Sequence, residues 1–267
     1  MFKQTAFLLC SGSLCLALST AAFAEDAKAM VQRVVDSERA ANQADHSNWM
    51  YFEEIHKPKE HTVQWVAATQ HGEVRRVIRK DEQKPLDAKQ RESVQSFLRD
   101  THAQKKEIAE DEHDAQQVDD FLKLLPVAFH WTETSADATN STFHFEPDPN
   151  FHPPTREARV FSNMVGDVVV DNQQLRIRSM SGRLTHEVTF GGGLLGRLKE
   201  GSTFSLEQTQ VGPSLWQLTA IHVKLEGNAL LFKSVSLQQD DERSKFEPEP
   251  PGITLEQAGD AVMKQPE

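Results

Sequence analysis

The chain has 267 residues and a formal net charge of −11, and its two cysteines, Cys10 and Cys15, both fall within the first 24 residues. Removal of that stretch would leave no thiol, which excludes disulfide frameworks, cysteine nucleophiles, thiolate zinc sites and iron–sulfur clusters. The balance of 29 Lys+Arg against 40 Asp+Glu speaks against nucleic acid as a partner, because phosphate contacts need clustered cations.

Residues 1–24 read as a secretory signal. Lys3 supplies a weak positive charge, residues 5–23 are uncharged and apolar-rich, and Ala22-Phe23-Ala24 presents small residues for cleavage after Ala24. Leu9 and Leu14 stand where a lipobox wants a small residue before cysteine, so a lipidated N-terminus is not expected. No later window is apolar enough to span a bilayer, and the chain is not expected to be an integral membrane protein. A thiol-free exported chain fits a bacterial periplasm or the extracellular medium. Residues 25–267 then form one domain.

Ala27, Met30, Val31, Val34 and Val35 recur with helical spacing, which predicts a helix over 26–44 with Asp26 as its N-cap. Extended segments follow at 49–56, 62–69 and 73–80, the last two joined by a hairpin at Gln70-His71-Gly72. Arg75, Arg76, Arg79 and Lys80 form the only dense basic cluster, expected to be a solvated strand face, with contact to anionic lipid as its other reading. Residues 87–125 form a long polar helical insertion. Apolar residues suit packing at its two ends, and 99–117 holds Ile108 as its only large aliphatic residue. The arm is expected to be interrupted, to pair Lys106 with Glu110, and to be a solvated face or the dock for a partner.

From Pro126 onward the pattern is β. Val127, Phe129 and Trp131 alternate with polar residues, as do Phe143 and Phe145, and strand-like runs follow at 165–171, 175–181, 184–190, 202–211, 215–226 and 229–239. Short turns, including one at Gly182, join them, so successive strands pair antiparallel. A short helix over 254–264 follows the Pro-rich bend at 248–252. The expected fold is α+β: a curved antiparallel half-barrel of about nine to eleven strands with helices on its concave side.

Gly191 to Gly196 matches G-x-G-x-x-G but leads straight into another strand, without the helix that would hold a pyrophosphate. It reads instead as a glycine-hinged loop carrying two exposed leucines, Leu194 and Leu195. His144, Glu146, Asp148 and His152 offer N and O donors to a metal, yet Pro147, Pro149, Pro153 and Pro154 make a structural role the better reading. No motif marks a nucleophile, a catalytic carboxylate pair or a cofactor, so no catalytic residue, metal or cofactor is assigned. Trp65, Trp131, Phe143, Phe190, Leu194, Leu195 and Trp216 are the candidates to line an apolar ligand cavity, with core filling as the alternative.

The run from Phe143 through Pro154 to Phe161, then Met164, Gly166 and Asp171, then residues 188–196 (VTFGGGLLG), resembles a family of uncharacterised secreted proteins of soil bacteria. That resemblance brings no activity with it. More distantly, the order of elements resembles the periplasmic lipoprotein-carrier superfamily (the LolA/LolB and RseB type), with Gly166, Val168-Val169-Val170-Asp171 and Leu175-Arg176-Ile177 as the local echo. The second resemblance implies a hydrophobic cavity open to acyl chains. The expectation is a non-enzymatic periplasmic binding protein for a lipophilic group, in lipoprotein or envelope-lipid handling. The alternative is an envelope interaction or sensor module that docks a protein partner through the charged arm.

Overall fold

The structure is a computed structural model that describes residues 18–190, 196–229 and 238–267. It is α+β. Helix α1 (Leu18–Ala44) leads into the β-strands β1 (Asn48–Lys57), β2 (Glu60–Thr69) and β3 (Gly72–Lys80). Helices α2 (Asp87–Arg99) and α3 (Thr101–Ala128) follow, and then β4 (Phe129–Ala136), β5 (Asn140–Pro147), β6 (Met164–Asp171) and β7 (Arg176–Leu184). The remaining elements are β8 (Val188–Phe190), β9 (Gly196–Leu198), β10 (Thr203–Gln210), β11 (Trp216–Lys224), β12 (Gly227–Ala229), β13 (Gln238–Glu249) and α4 (Leu255–Lys264). A 3-10 turn, Glu157–Asn163, precedes β6.

Ten strands form one open, curved antiparallel sheet in the order β3-β2-β1-β13-β11-β10-β7-β6-β5-β4, and β12-β9-β8 form a small second sheet. Strand β13 sits between β1 and β11 and so welds the N-terminal meander to the C-terminal one. Its sequence, QQDDERSKFEPE, carries too little apolar alternation to announce a strand. The expected bend at 248–252 begins only where this strand ends.

Strand alternation and register divide the sheet into two faces. On the inner face, Phe143, Phe145, Val168, Val170, Met180 and Leu184 join Val31, Val34, Val35, Leu122 and Leu125 in the largest core. There α1 lies against β4, β7 and α3, as expected for helices on the concave side. Phe129, Trp131, Phe145 and Phe161 pack ring against ring, with Phe129 and Phe145 centroids 4.7 Å apart. On β1 to β3 the main apolar side is the outer one. Met50, Trp65, Ala67, Val74 and Ile78 are covered there by α2 and α4 through Val94, Ala258 and Val262. Helices therefore pack on both faces of the sheet, α2 and α4 on the outer face at the β1–β3 end and α1 on the inner face at the other, with α3 touching both β4 and β3.

Several local expectations change for physical reasons. Helix α1 begins at Leu18, so Asp26 lies inside it rather than capping it. The polar insertion is interrupted, and the break is Asp100. Its backbone N–H closes α2 on Phe97 and Ser96 while its carboxylate caps α3 by accepting from His102 and Ala103, both at 3.0 Å. The Lys106–Glu110 pair forms at 3.6 Å. Pro126 stays within the last turn of α3, so Val127 is helical and exposed rather than extended. The Leu125 carbonyl, left without a helical partner there, accepts from Trp131 Nε1 at 3.2 Å. Gly182 does not turn the chain either. It sits within β7 opposite Gly166 of β6.

The basic cluster on β3 is not one solvated face, because strand geometry sends neighbours to opposite sides. Arg76 is buried on the outer side. It donates to Gln90 and to the carbonyls of Val262, Met263 and Gln265, closing the C-terminus of α4. Arg75 points to the inner side and pairs with Glu73 and with Glu107 of α3. Asp111, one turn further along α3, feels partial burial and the Glu73 and Glu107 carboxylates, which push its pKa up to about 6. A raised carboxyl pKa means that the folded state holds the proton more tightly than the unfolded one. Stability then falls as the pH rises from about 4 through 6. Asp111→Asn is expected to raise the melting temperature at pH 7 and to leave it unchanged below pH 4. Paired thermal melts at the two pH values check this, and an equal shift at both would refute it.

Candidate functional site in the helix-free middle of the sheet

Strands β10, β11 and β13 lie between the two helix-covered ends, and no described helix packs closely on them.

On the inner face, register aligns Leu206 of β10, Ile221 of β11, Asp241 of β13 and Ile55 of β1, with Val223 and Gln239 one step along. Ile55, Ile221 and Val223 are half-buried and belong to none of the cores formed by the described residues. Leu206 borders the largest of them. This aliphatic strip ends on a buried polar network. Glu53 accepts from Gln64 at 2.6 Å and from Arg243 at 2.9 Å, and the Arg243 guanidinium lies 5.1 Å from the Tyr51 ring centre. Asp241 is buried, and its Oδ2 accepts from Gln239 at 2.7 Å, while its Oδ1 and Gln239 Oε1 have no partner among the described residues. Burial, followed by the nearby Glu53 carboxylate, pushes the Asp241 carboxyl above its ordinary pKa. A buried oxygen without a partner costs about 1–3 kcal/mol, and a ligand's donor would recover it.

The outer face of the same strands is polar. One row crosses the sheet in register: His61, His56, Asp240, His222, Ser205, Ser181, Asp167 and His144. Its middle and far end line a trough of about 520 Å³. His222 Nδ1 meets Asp240 at 3.0 Å and His144 Nδ1 meets Asp167 at 2.9 Å. Asp240, His222 and Ser205 stand in the order of a nucleophilic triad. Among the described residues, however, no hydrogen bond joins Ser205 to His222, the link by which such a base activates its nucleophile. His144, Glu146, Asp148 and His152 do not converge as a set, although His144 Nε2 lies 3.9 Å from Glu146. His144 turns to Asp167, and Asp148 lies 3.6 Å from His130 instead.

The residues expected to line a cavity are not brought together. Trp131, Phe143 and Phe190 fill the main core at 2% exposure or less. Trp65 lies in the outer-face core, donating from Nε1 to the Pro266 carbonyl at 2.9 Å. Trp216 is buried elsewhere, bonded to Gln174 at 2.9 Å, with the Arg178 guanidinium 5.1 Å from its ring centre. Leu194 and Leu195 lie outside the described residues. The inner strip was half visible in the sequence: Ile221 and Val223 stand on an alternating face. Their companion Asp241 was hidden, because β13 does not read as a strand.

No described helix is long and apolar enough to cross a membrane. Comparison with family models, with curated proteins and with solved structures gives no match to this chain.

Proposed function

We propose that this protein is a non-enzymatic carrier or binder of an amphiphile, an acyl chain with a polar group, exported to the periplasm through its N-terminal segment. The observation that supports the reading is the inner strip of Ile55, Leu206, Ile221 and Val223, half-buried and running to the unpartnered Oδ1 of Asp241. An acyl chain would cover the aliphatic side chains, and its polar group would supply the donor that Asp241 lacks. Apolar walls with few convergent polar groups are what such a site requires. Full burial of such a side chain from water contributes about 1.5–3 kcal/mol, and covering the part of each that is still exposed contributes a fraction of that.

Titration of the full-length chain with a fluorescent long-chain alkylamine, whose ammonium group can donate to Asp241, tests the proposal. Saturable binding is expected, and Ile221→Arg is expected to weaken it by about tenfold or more, the equivalent of about 1.4 kcal/mol. Absence of saturable binding, or an Ile221→Arg variant that binds as well as the parent, would overturn it.

A further inference from the structure

At the His61 end of the outer polar row, beyond the trough, lies a cluster that the amphiphile site does not use. Strands β1 and β2 form a tight hairpin whose last pair is Lys57 with Glu60, leaving Pro58 and Lys59 as the turn. Proline presets the backbone of such a turn and fixes its register. The register places His56 directly opposite His61, and their rings stack with centroids 3.9 Å apart and planes 17° from parallel. Two residues before His56, and therefore on the same face, stands Glu54.

A single carboxylate oxygen serves both rings. Glu54 Oε1 lies 2.7 Å from His61 Nε2 and 3.1 Å from His56 Nε2. All three donor atoms lie within 4.8 Å of one another. Around a tetrahedral ion with bonds of about 2.0–2.1 Å, neighbouring donors stand about 3.3 Å apart. The two carboxylate–imidazole contacts need to open by only a few tenths of an ångström, and the stacked rings must fan so that both Nε2 lone pairs face one point. Each side chain is partly exposed, so an ion has a path in.

We propose that Glu54, His56 and His61 form a binding site for one divalent ion of the Zn²⁺ class, with its fourth position open to solvent. Two imidazoles and one carboxylate match the donor preference of borderline transition ions and not that of Mg²⁺ or Ca²⁺, which take mostly oxygen. Arg79 is the local competitor, with Nη2 4.0 Å from Glu54 Oε1. Its side chain is about half exposed, so it can swing into solvent when the ion enters. The inference is independent of the inner-face site, which lies on the other side of the sheet.

The test is calorimetric titration of the full-length protein with Zn²⁺, together with the visible spectrum of the Co²⁺ form. One equivalent is expected, with Co²⁺ showing a four-coordinate spectrum. Glu54→Gln and His61→Ala should each weaken binding by more than the about 10–100-fold that loss of an outer-shell partner costs. Arg79→Gln should tighten it. Circular dichroism confirms that these hairpin-surface variants remain folded. Failure to bind one equivalent, or retention of that equivalent by a His56→Ala/His61→Ala double variant, would overturn the proposal, the latter by moving the ion to the other histidines.

Discussion

Glu38→Ala is expected to destabilise the protein by about 3–5 kcal/mol, the cost of leaving one member of a buried ion pair without its partner. Glu38 lies on α1 and is 2% exposed. One carboxylate oxygen accepts from the Ile177 backbone N–H at 2.6 Å, and the other meets Arg176 Nη2 at 3.0 Å. Both partners of Glu38 belong to β7, so this one side chain ties the helix to the middle of the sheet. Arg176 is itself buried and lies 5.8 Å from the Trp216 ring centre. Truncating Glu38 leaves a guanidinium with no anion and a strand N–H with no acceptor. Urea unfolding measures the loss directly. A change below about 1 kcal/mol would show that water reaches Arg176 and that the pair is not buried in solution. Replacing both residues by methionine should recover much of the loss, because an apolar pair carries no desolvation cost.

Gly166→Ala should be the second large effect. A Cβ at Gly166 would stand 1.9 Å from the Ser181 carbonyl oxygen and 2.8 Å from the Gly182 Cα. Both obstacles are backbone of the neighbouring strand, so relief requires β6 and β7 to separate in the middle of the sheet. The expected cost exceeds the about 1–3 kcal/mol typical of overpacking by a side chain alone. Gly182→Ala is the internal control. Its Cβ would meet the ring edge of Phe204 at 2.4 Å, an obstacle on a side chain at the half-buried margin of the core. The milder loss is expected there, and equal losses in the two variants would show that the close strand approach is not what Gly166 serves. The glycine pair thus lets β6 and β7 approach closely, while the Phe145 and Phe204 rings occupy the space that side chains would have filled.

Much of the element order was legible because its signals are local. Helix α4 carries a complete capping box between Thr254 and Gln257, and the structure forms it. The β1 to β3 meander shows apolar positions at period two, and α1 shows its stripe at 3.6. Strand β13 was not legible. Its residues face charged partners on both sides, Glu53 with Arg243 inside and His222 with Asp240 outside, so its burial leaves little hydrophobic trace. The cluster of Glu54, His56 and His61 was readable in principle from period two and a two-residue hairpin. Its three members match no ligand motif by spacing along the chain, and cross-strand position is what brings them together.

The sequence by itself determined that thiol chemistry is absent beyond the first 24 residues, that the fold is α+β with antiparallel strands, where the polar insertion begins and that it is interrupted. Those properties depend on composition, periodicity and capping, which act within a few residues. Only the tertiary structure decided which aromatic residues share a core, which strand closes the sheet, and where polar groups face one another. Cross-strand register joins residues nearly two hundred positions apart, as in the pairing of His56 with Asp240. Each strand's own pattern tells which residues share a face, but the partner is chosen by the packing of the whole sheet.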